Sequence, residues 1–326
     1  MPDRALDELL DQAIDAILAG AAPDISTSEL DSLVRIASAL REMPEKDFQS
    51  RLKTELERRA TMSQTASPTA SPSATAPIRG GFRTVTPYLT VPEGDKLIDF
   101  LKHTFGAEEL FRSPSSAGFH AEVRIGDSML MIGSGESVQH EKIGAFHVYV
   151  PDCDAAYRRA MEAGATSMGE PADRPYGERS GYVKDFAGNY WYIATRFASS
   201  GAPEGLGTVV PYLHPPKARV FIDFLKRAFA AEEMAVFEQS GHVMHAAVRI
   251  GDTVLEMGEP QEPLFMPGRF FLYVEDCDAW YRRAVAAGAT SLQEPADQPY
   301  GHRTAIVEDS FGHEWIPASL IENAAS

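Results

Sequence analysis

Residues 86–101 read TPYLTVPEGDKLIDFL, and residues 210–225 read VPYLHPPKARVFIDFL. EPADRPYGER at 170–179 returns as EPADQPYGHR at 294–303. A constant offset of 124 positions joins Pro87 to Pro211, Cys153 to Cys277, Gly164 to Gly288 and Trp191 to Trp315. Self-similarity over so long a stretch means that the fold arose by duplication. It also supplies a comparison inside one chain: where the copies agree, the fold or a shared site needs the residue, and where they differ, function has moved.

Each copy has an inner order of elements. In the first, FRTVTPYLTV reads as a strand and DKLIDFLKHTFG as a helix, with Leu97, Ile98, Leu101 and Phe105 on one face and Gly106 closing it. FHAEVRIGDSMLMIG is a hairpin around a Gly126-Asp127 turn. A strand in FHVYV, a helix in CDAAYRRAMEAGA and strands around GYVKD and NYWYIATR complete the copy. The pattern of strand, helix and two or three strands occurs four times in the chain.

Upstream lie three short amphipathic segments over 1–60, beginning with the stripe Leu6, Leu9, Leu10, Ile14, Ile17 and Leu18. They predict a small helical segment that packs on itself or docks on a protein partner. Residues 61–80, TMSQTASPTASPSATAPIRG, read as a flexible linker, and ASSGAPEGLG at 198–207 separates the copies. The expected organisation is a helical segment (1–60), a linker (61–80), a first domain (81–197), a short linker (198–207) and a second domain (208–322).

The 326 residues are 44% hydrophobic, with a net charge of −17. An acidic chain argues against nucleic acid and anionic membranes, which call for basic patches. No apolar run is long enough to span a bilayer, and MPDRALDELL lacks the character of a secretory signal. A cytoplasmic protein is expected. The two cysteines sit in DCDA of each copy, as small hydrophobes at a helix start. No glycine-rich phosphate loop or Cys-x-x-Cys pair is present.

The string PYLTV…IDFL…FGAEE…HAEVRIGDSMLMIG…FHVYVPDCDAAYRRAMEAGA…YGERSGYVKDFAGNYW resembles the vicinal oxygen chelate superfamily, which includes glyoxalase I, bleomycin-resistance proteins, fosfomycin-resistance enzymes and extradiol dioxygenases. HAEVRIGD and YGERSG are most similar to its PhnB-like branch. The resemblance covers about 82–196 and 207–320. It implies an α+β fold of four βαβββ modules in two tandem glyoxalase-like domains, with sheets that curl into cups.

In metal-using members, the resemblance implies ligands on the first and last strands of each module. Those positions fall near Thr86, Ala145 and Tyr192 in copy one, and near Val210, Arg269 and Ile316 in copy two. His147 lies two residues beyond Ala145 on the same strand face. The set lacks the three nitrogen or carboxylate donors of a catalytic metal site, so neither metal nor another cofactor is expected.

Chemistry is sought instead on the hairpins. A two-residue turn sets Glu122 across from Met131 and Ala247 across from Glu256, so that a carboxylate has jumped strands and kept its face. His120 and Arg124 share that face in copy one, as do His245 and Arg249 in copy two. These clusters can bind a ligand or move a proton, or can be cross-strand ion pairs. Arg179 and Arg303, after PYG-x, are candidates to grip an anion, or to pair with Asp185 and Asp309. His214 is placed at a rim, His313 at a turn, and His302 is a further candidate of copy two. The expected function is binding of a small aromatic or anionic molecule without metal, for sequestration or sensing. The alternative is a metal-dependent lyase, isomerase or dioxygenase with an atypical site. Whether any reaction is catalysed is left open.

Overall fold

The computed structural model describes residues 81–115, 118–135, 142–174, 177–197, 206–260, 264 and 266–321. The expected helical segment and linker over 1–80 lie outside the described residues.

Four βαβββ modules follow one another. The first is β1 (Val85–Val91), α1 (Gly94–Phe105), β2 (Glu108–Ser115), β3 (Gly118–Ile125) and β4 (Ser128–Ser134). The second is β5 (Ala145–Tyr149), α2 (Cys153–Glu162), β6 (Thr166–Arg174), β7 (Glu178–Lys184) and β8 (Tyr190–Arg196). The third is β9 (Val209–Leu213), α3 (Ala218–Phe229), β10 (Glu232–Gln239), β11 (His242–Ile250) and β12 (Thr253–Met257). The fourth is β13 (Arg269–Tyr273), α4 (Cys277–Ala286), β14 (Thr290–Asp297), β15 (His302–Glu308) and β16 (Glu314–Leu320). The fold is α+β, with two tandem glyoxalase-like domains.

Local signals explain the helices. Asp152 and Asp276 accept hydrogen bonds from the third residue beyond, at 2.9 Å each, and so cap α2 and α4. Cys153 and Cys277 follow as buried free thiols. Gly106 closes α1 in the left-handed conformation at φ 68°, and Ala230 does the same for α3 at φ 55°.

The sheets do not follow the copies. One runs β14-β15-β16-β13-β1-β4-β3-β2, and the other β10-β11-β12-β9-β5-β8-β7-β6. Each eight-stranded sheet thus joins one module from each copy, through antiparallel β1·β13 and β5·β9. The helix-side cores keep the opposite arrangement. Leu97, Ile98, Leu101, Ile132, Phe146 and Trp191 form a core that is nearly all copy one. Phe221, Leu225, Phe229, Leu255, Phe270 and Trp315 form its counterpart in copy two. Helices pack on their own copy, while the concave faces are shared.

Backbone locks hold the seam. The Thr84 N–H donates to Asp252 Oδ1 at 2.7 Å, and the Val85 N–H to Thr253 Oγ1 at 2.9 Å. The mirror pair runs from the Thr208 N–H to Asp127 Oδ1 at 2.7 Å and from the Val209 N–H to Ser128 Oγ at 3.0 Å. Gly126, at φ +58°, lies so close that a Cβ there would meet Thr208 Oγ1 at 2.2 Å. Among the described residues, no helix is long and apolar enough to cross a membrane.

Candidate functional site

The β5–β12 sheet curls around a cavity of about 870 Å³. Strand alternation decides which side chains face it. His147 and Tyr149 come from β5, Glu178 and Tyr182 from β7, Tyr192 and Arg196 from β8, Tyr212 from β9, His245 from β11 and Glu256 from β12.

At its centre, His147 Nδ1 lies 2.9 Å from Glu256 Oε2. His147 Nε2 is 3.4 Å from Glu178 Oε1, within range of charge attraction, and this buried nitrogen has no hydrogen-bond partner. Both glutamates are buried, at 5% exposure or less. Burial alone would push the imidazole down, but the two carboxylates outweigh it and hold His147 up at about 9. Glu256 is opposed by burial, yet its bond to His147 holds it below the usual glutamate range. Tyr149 stacks on the His147 ring at 4.5 Å, and burial pushes its phenol well up. Arg196 donates to Tyr149 Oη at 3.0 Å.

A second histidine behaves oppositely. His214 Nε2 lies 3.0 Å from Tyr192 Oη, and burial pushes the imidazole down to about 4. The neutral ring accepts from the tyrosine at Nε2. One cup therefore holds an imidazole raised by carboxylates and another lowered by burial, with Tyr192 in ring contact with both and with Tyr182 and Tyr212.

The companion concavity, between β1–β4 and β13–β16, is packed by its own side chains: Met129, Met131, Phe271, Tyr273 and Ile316, with Tyr88 against them. Nearby, Glu314 takes Lys142 at 2.8 Å and Arg269 at 2.6 Å. The repeat aligns His147 with Phe271, Glu178 with His302, Tyr192 with Ile316, Arg196 with Leu320 and Glu256 with Met131. The duplicated chain has kept one open cup and filled the other.

The expected site residues distribute unevenly. The register sets Glu122 opposite Met131 and Ala247 opposite Glu256, as the two-residue turns required. His245 and Glu256 line the open cavity, with Nε2 and Oε1 3.8 Å apart. His120 and Glu122 belong to the filled side, where His120 Nδ1 lies 3.2 Å from Tyr88 Oη. Arg124, exposed, and Arg249, half-buried, lie near strand ends and pair with Glu108 and Glu232. Arg179 and Arg303 require correction. Asp154 holds Arg179 at 2.6 and 2.8 Å, and Asp278 holds Arg303 at 2.5 and 3.0 Å. Neither guanidinium lines the cavity, because the first turns of α2 and α4 lie beside β7 and β15 and supply carboxylates. Asp185 and Asp309 accept instead from Trp191 Nε1 and Trp315 Nε1, at 2.9 and 2.8 Å. His214 lines the cavity, His302 belongs to the filled side, and His313 is buried and accepts the Gly268 N–H at 2.9 Å.

Tyr149, Glu178 and Arg196 are absent from the expected set, and His147 enters it only beside the metal-ligand position at Ala145. Their signal was the mismatch between copies, since the repeated strings themselves carry Glu178 against His302.

The protein-family model described as the Glyoxalase/Bleomycin resistance protein/Dioxygenase superfamily matches residues 82–193 and 217–316. The chain belongs to this superfamily. An uncharacterized protein of Mycobacterium bovis is 33% identical over 122 residues, which are 33% of this chain and 80% of that protein. Another, from Mycobacterium tuberculosis, is 33% identical over 122 residues and 72% of its length. Glyoxalase I of Zea mays superposes with a TM-score of 0.59 at 15% identity, covering 72% of this chain and 92% of that one. A putative dioxygenase from Bacillus subtilis gives 0.52 at 13%, covering 72% and 84%. At these identities, the two structures speak for the fold alone.

The metal implied by the superfamily resemblance can be tested against the donors. The cup floor presents His147, Tyr192, Tyr212 and Glu256, with Glu178 beside His147; Ala145 shares the face of His147 but does not line the cavity. The ordinary ligands among them are engaged with one another, since His147 lies between the two carboxylates. Among the described residues, no group of three or more His, Cys, Asp or Glu is placed to hold an ion. The donor set does not fit a catalytic divalent site.

Proposed function

We propose that the protein binds one small, ring-bearing molecule per chain in the open cup, for sequestration or sensing. The observation that carries this reading is the asymmetry of the two cups. One is a cavity of about 870 Å³ walled by tyrosines around buried polar groups, and its copy is packed with methionine, phenylalanine and isoleucine. Aromatic walls with a few fixed polar anchors are what a ligand site requires. Phe237, 61% exposed, also lines the cavity and is available to cover a bound ring. The donor set supports binding over metal-assisted turnover. HAEVRIGD and YGERSG support a PhnB-like placement within the superfamily.

A thermal-shift screen of aromatic and anionic compounds tests this reading, with hits followed by calorimetry. The expected hit binds at one site per chain and loses affinity at least tenfold in Tyr192→Ile, which copies the filled side. A hit that is indifferent to Tyr192→Ile and to Glu256→Met would place binding elsewhere.

A further inference from the structure

We propose that the resident cation of the open cup is a proton on His147 in place of a metal ion, and that the cup selects an uncharged ring-bearing ligand whose N–H or O–H groups meet its two carboxylates. The ligand class rests on the open cup being the binding site; the resident proton does not.

The geometry makes the case. Glu256, from β12, and Glu178, from β7, approach opposite nitrogens of one imidazole at 2.9 and 3.4 Å. Two buried carboxylates without a cation would be strongly destabilising, and a buried charge persists only where it is paired. The imidazolium meets that need from within the chain. Arg196, from β8, adds a second positive charge, its guanidinium 4.6 Å over the Tyr149 ring. Two carboxylates against one imidazolium and one guanidinium leave the His147 cluster itself neutral; Arg174 and His245, which also line the cavity, are not part of that cluster. His245, from β11, stands farther out, 3.8 Å from Glu256. Arg174 is held near the cavity by Ser180 Oγ at 3.2 Å and its carbonyl at 3.1 Å.

The repeat supports the same reading. Where Glu256 becomes Met131, His147 becomes Phe271 and Glu178 becomes His302. The imidazole and both carboxylates of this cluster are replaced together, as a charge-compensated unit should be. A neutral centre also sets the ligand's charge. An anion would face two fixed carboxylates, and a cation would face the imidazolium and Arg196. Either leaves an unbalanced buried charge, whereas a neutral donor hydrogen-bonds a carboxylate without changing the balance.

The experiment has two arms, both on the full chain after treatment with a chelator. In the first, histidine-labelled protein is titrated by NMR from pH 6 to 11, and the His147 signal is assigned by its loss in His147→Phe. The expected imidazole is cationic at pH 7.5, and its midpoint falls by a pH unit or more in Glu256→Gln. A neutral His147 at pH 7.5 would overturn the resident proton. So would a stoichiometric divalent ion that survives dialysis in the wild type and is lost in His147→Phe. Glu178→Gln, which removes the other carboxylate and keeps the reporting imidazole, is expected to lower the midpoint as well and supplies the test if Glu256→Gln fails to fold.

In the second arm, 4-hydroxybenzamide, 4-hydroxybenzoate and 4-hydroxybenzamidine are compared by calorimetry. They share a ring and a phenol and differ in charge. The neutral probe is expected to bind at least tenfold more tightly than either charged one. Tighter binding of a charged probe would overturn the ligand class. If none of the three binds while His147 is cationic, the ligand class fails alone. The binding reading fails with it only if the broader screen is also empty.

Discussion

His147 of the first copy and Glu256 of the second meet at 2.9 Å across the β5·β9 seam, so the central pair of the open cup exists only because the two copies share a sheet. Neither copy holds the pair by itself. The filled cup shows what the same scaffold does without it, with Phe271 and Met131 at the matching positions. Removing one partner strands a charge. Glu256→Gln is therefore expected to lower unfolding stability by roughly 3–5 kcal/mol, while the triple change His147→Phe/Glu178→His/Glu256→Met, which copies the filled cup, is neutral or stabilising by roughly 1–4 kcal/mol. Urea unfolding of the two variants measures both. Equal losses in the single and triple variants would show that the cluster is not coupled.

The same pair fixes an alkaline limb. The His147 midpoint is raised to about 9, above the unfolded value of 6.5. The folded state then holds a proton that the unfolded state releases, so the contribution is fully present below about pH 6.5 and is lost as pH rises through about 9. It is on the order of 3 kcal/mol. Stability curves at pH 7 and 10 should converge in His147→Phe relative to the wild type.

How much of this was legible in the sequence depends on the range of the interaction. Gly106 at a helix end, the Gly126-Asp127 turn and the pairing of Glu122 with Met131 follow from local backbone geometry, and all three could be read from adjacent residues. The open cup was not local. Glu256 was chosen for its strand face, but its partner His147 lies 109 positions away, on the far side of a seam that alternation cannot reveal. The partners of Arg179 and Arg303 are non-local as well: the aspartates that take them sit on helices 25 positions upstream, where Asp185 and Asp309 were expected.

An acid limb belongs to His313. Complete burial pushes it down to about 3, and its Nδ1 accepts the Gly268 N–H at 2.9 Å, which requires the neutral ring. The unfolded chain binds this proton near pH 6.5 and the folded chain does not, so stability falls as pH drops from about 6.5 toward 3. Asn189 fills the same place in copy one, its Oδ1 accepting the Gly144 N–H at 3.0 Å. His313→Asn should keep the hydrogen bond and flatten the acid limb. Asp309, raised by burial to about 6, pulls the other way but is present in both proteins and cancels in the comparison. Unfolding at pH 7 and pH 5 gives the test: an unchanged difference between the two would remove His313 as the cause.

Ala230 takes the left-handed conformation, at φ 55°, that Gly106 takes in the first copy. A Cβ there costs about 1–2 kcal/mol, partly offset by glycine's greater entropy when unfolded. Ala230→Gly is expected to stabilise the protein by about 0.5–1 kcal/mol, read as a rise in the urea midpoint at constant slope. A fall in the midpoint would show that the α3 terminus is held by packing and not by backbone strain.

Residues 81–197 expressed alone should dimerise. In the full chain, β1 is bordered by β4 and β13, and β5 by β8 and β9, so removing the second copy leaves an open edge on both β1 and β5. The first copy keeps its own helix-side core around Trp191, so folding of the unit is not in question on grounds of apolar burial. Its two open edges are the counterparts of the strands that close the seam, because β9 and β13 are the repeats of β1 and β5. A second copy of the fragment can therefore pair its β5 with β1, and its β1 with β5, and re-form both sheets. Asp127 and Ser128 would again find backbone N–H groups at the seam, those of Thr84 and Val85 in the other molecule, which stand where Thr208 and Val209 stand in the full chain. Sedimentation should give a two-fold species that dissociates on dilution, with Gly126→Ala weakening it because the added Cβ collides with the seam threonine. A fragment that remains monomeric at high concentration with intact near-ultraviolet dichroism would show that the shared sheets follow from the linkage of the copies and not from the edges themselves.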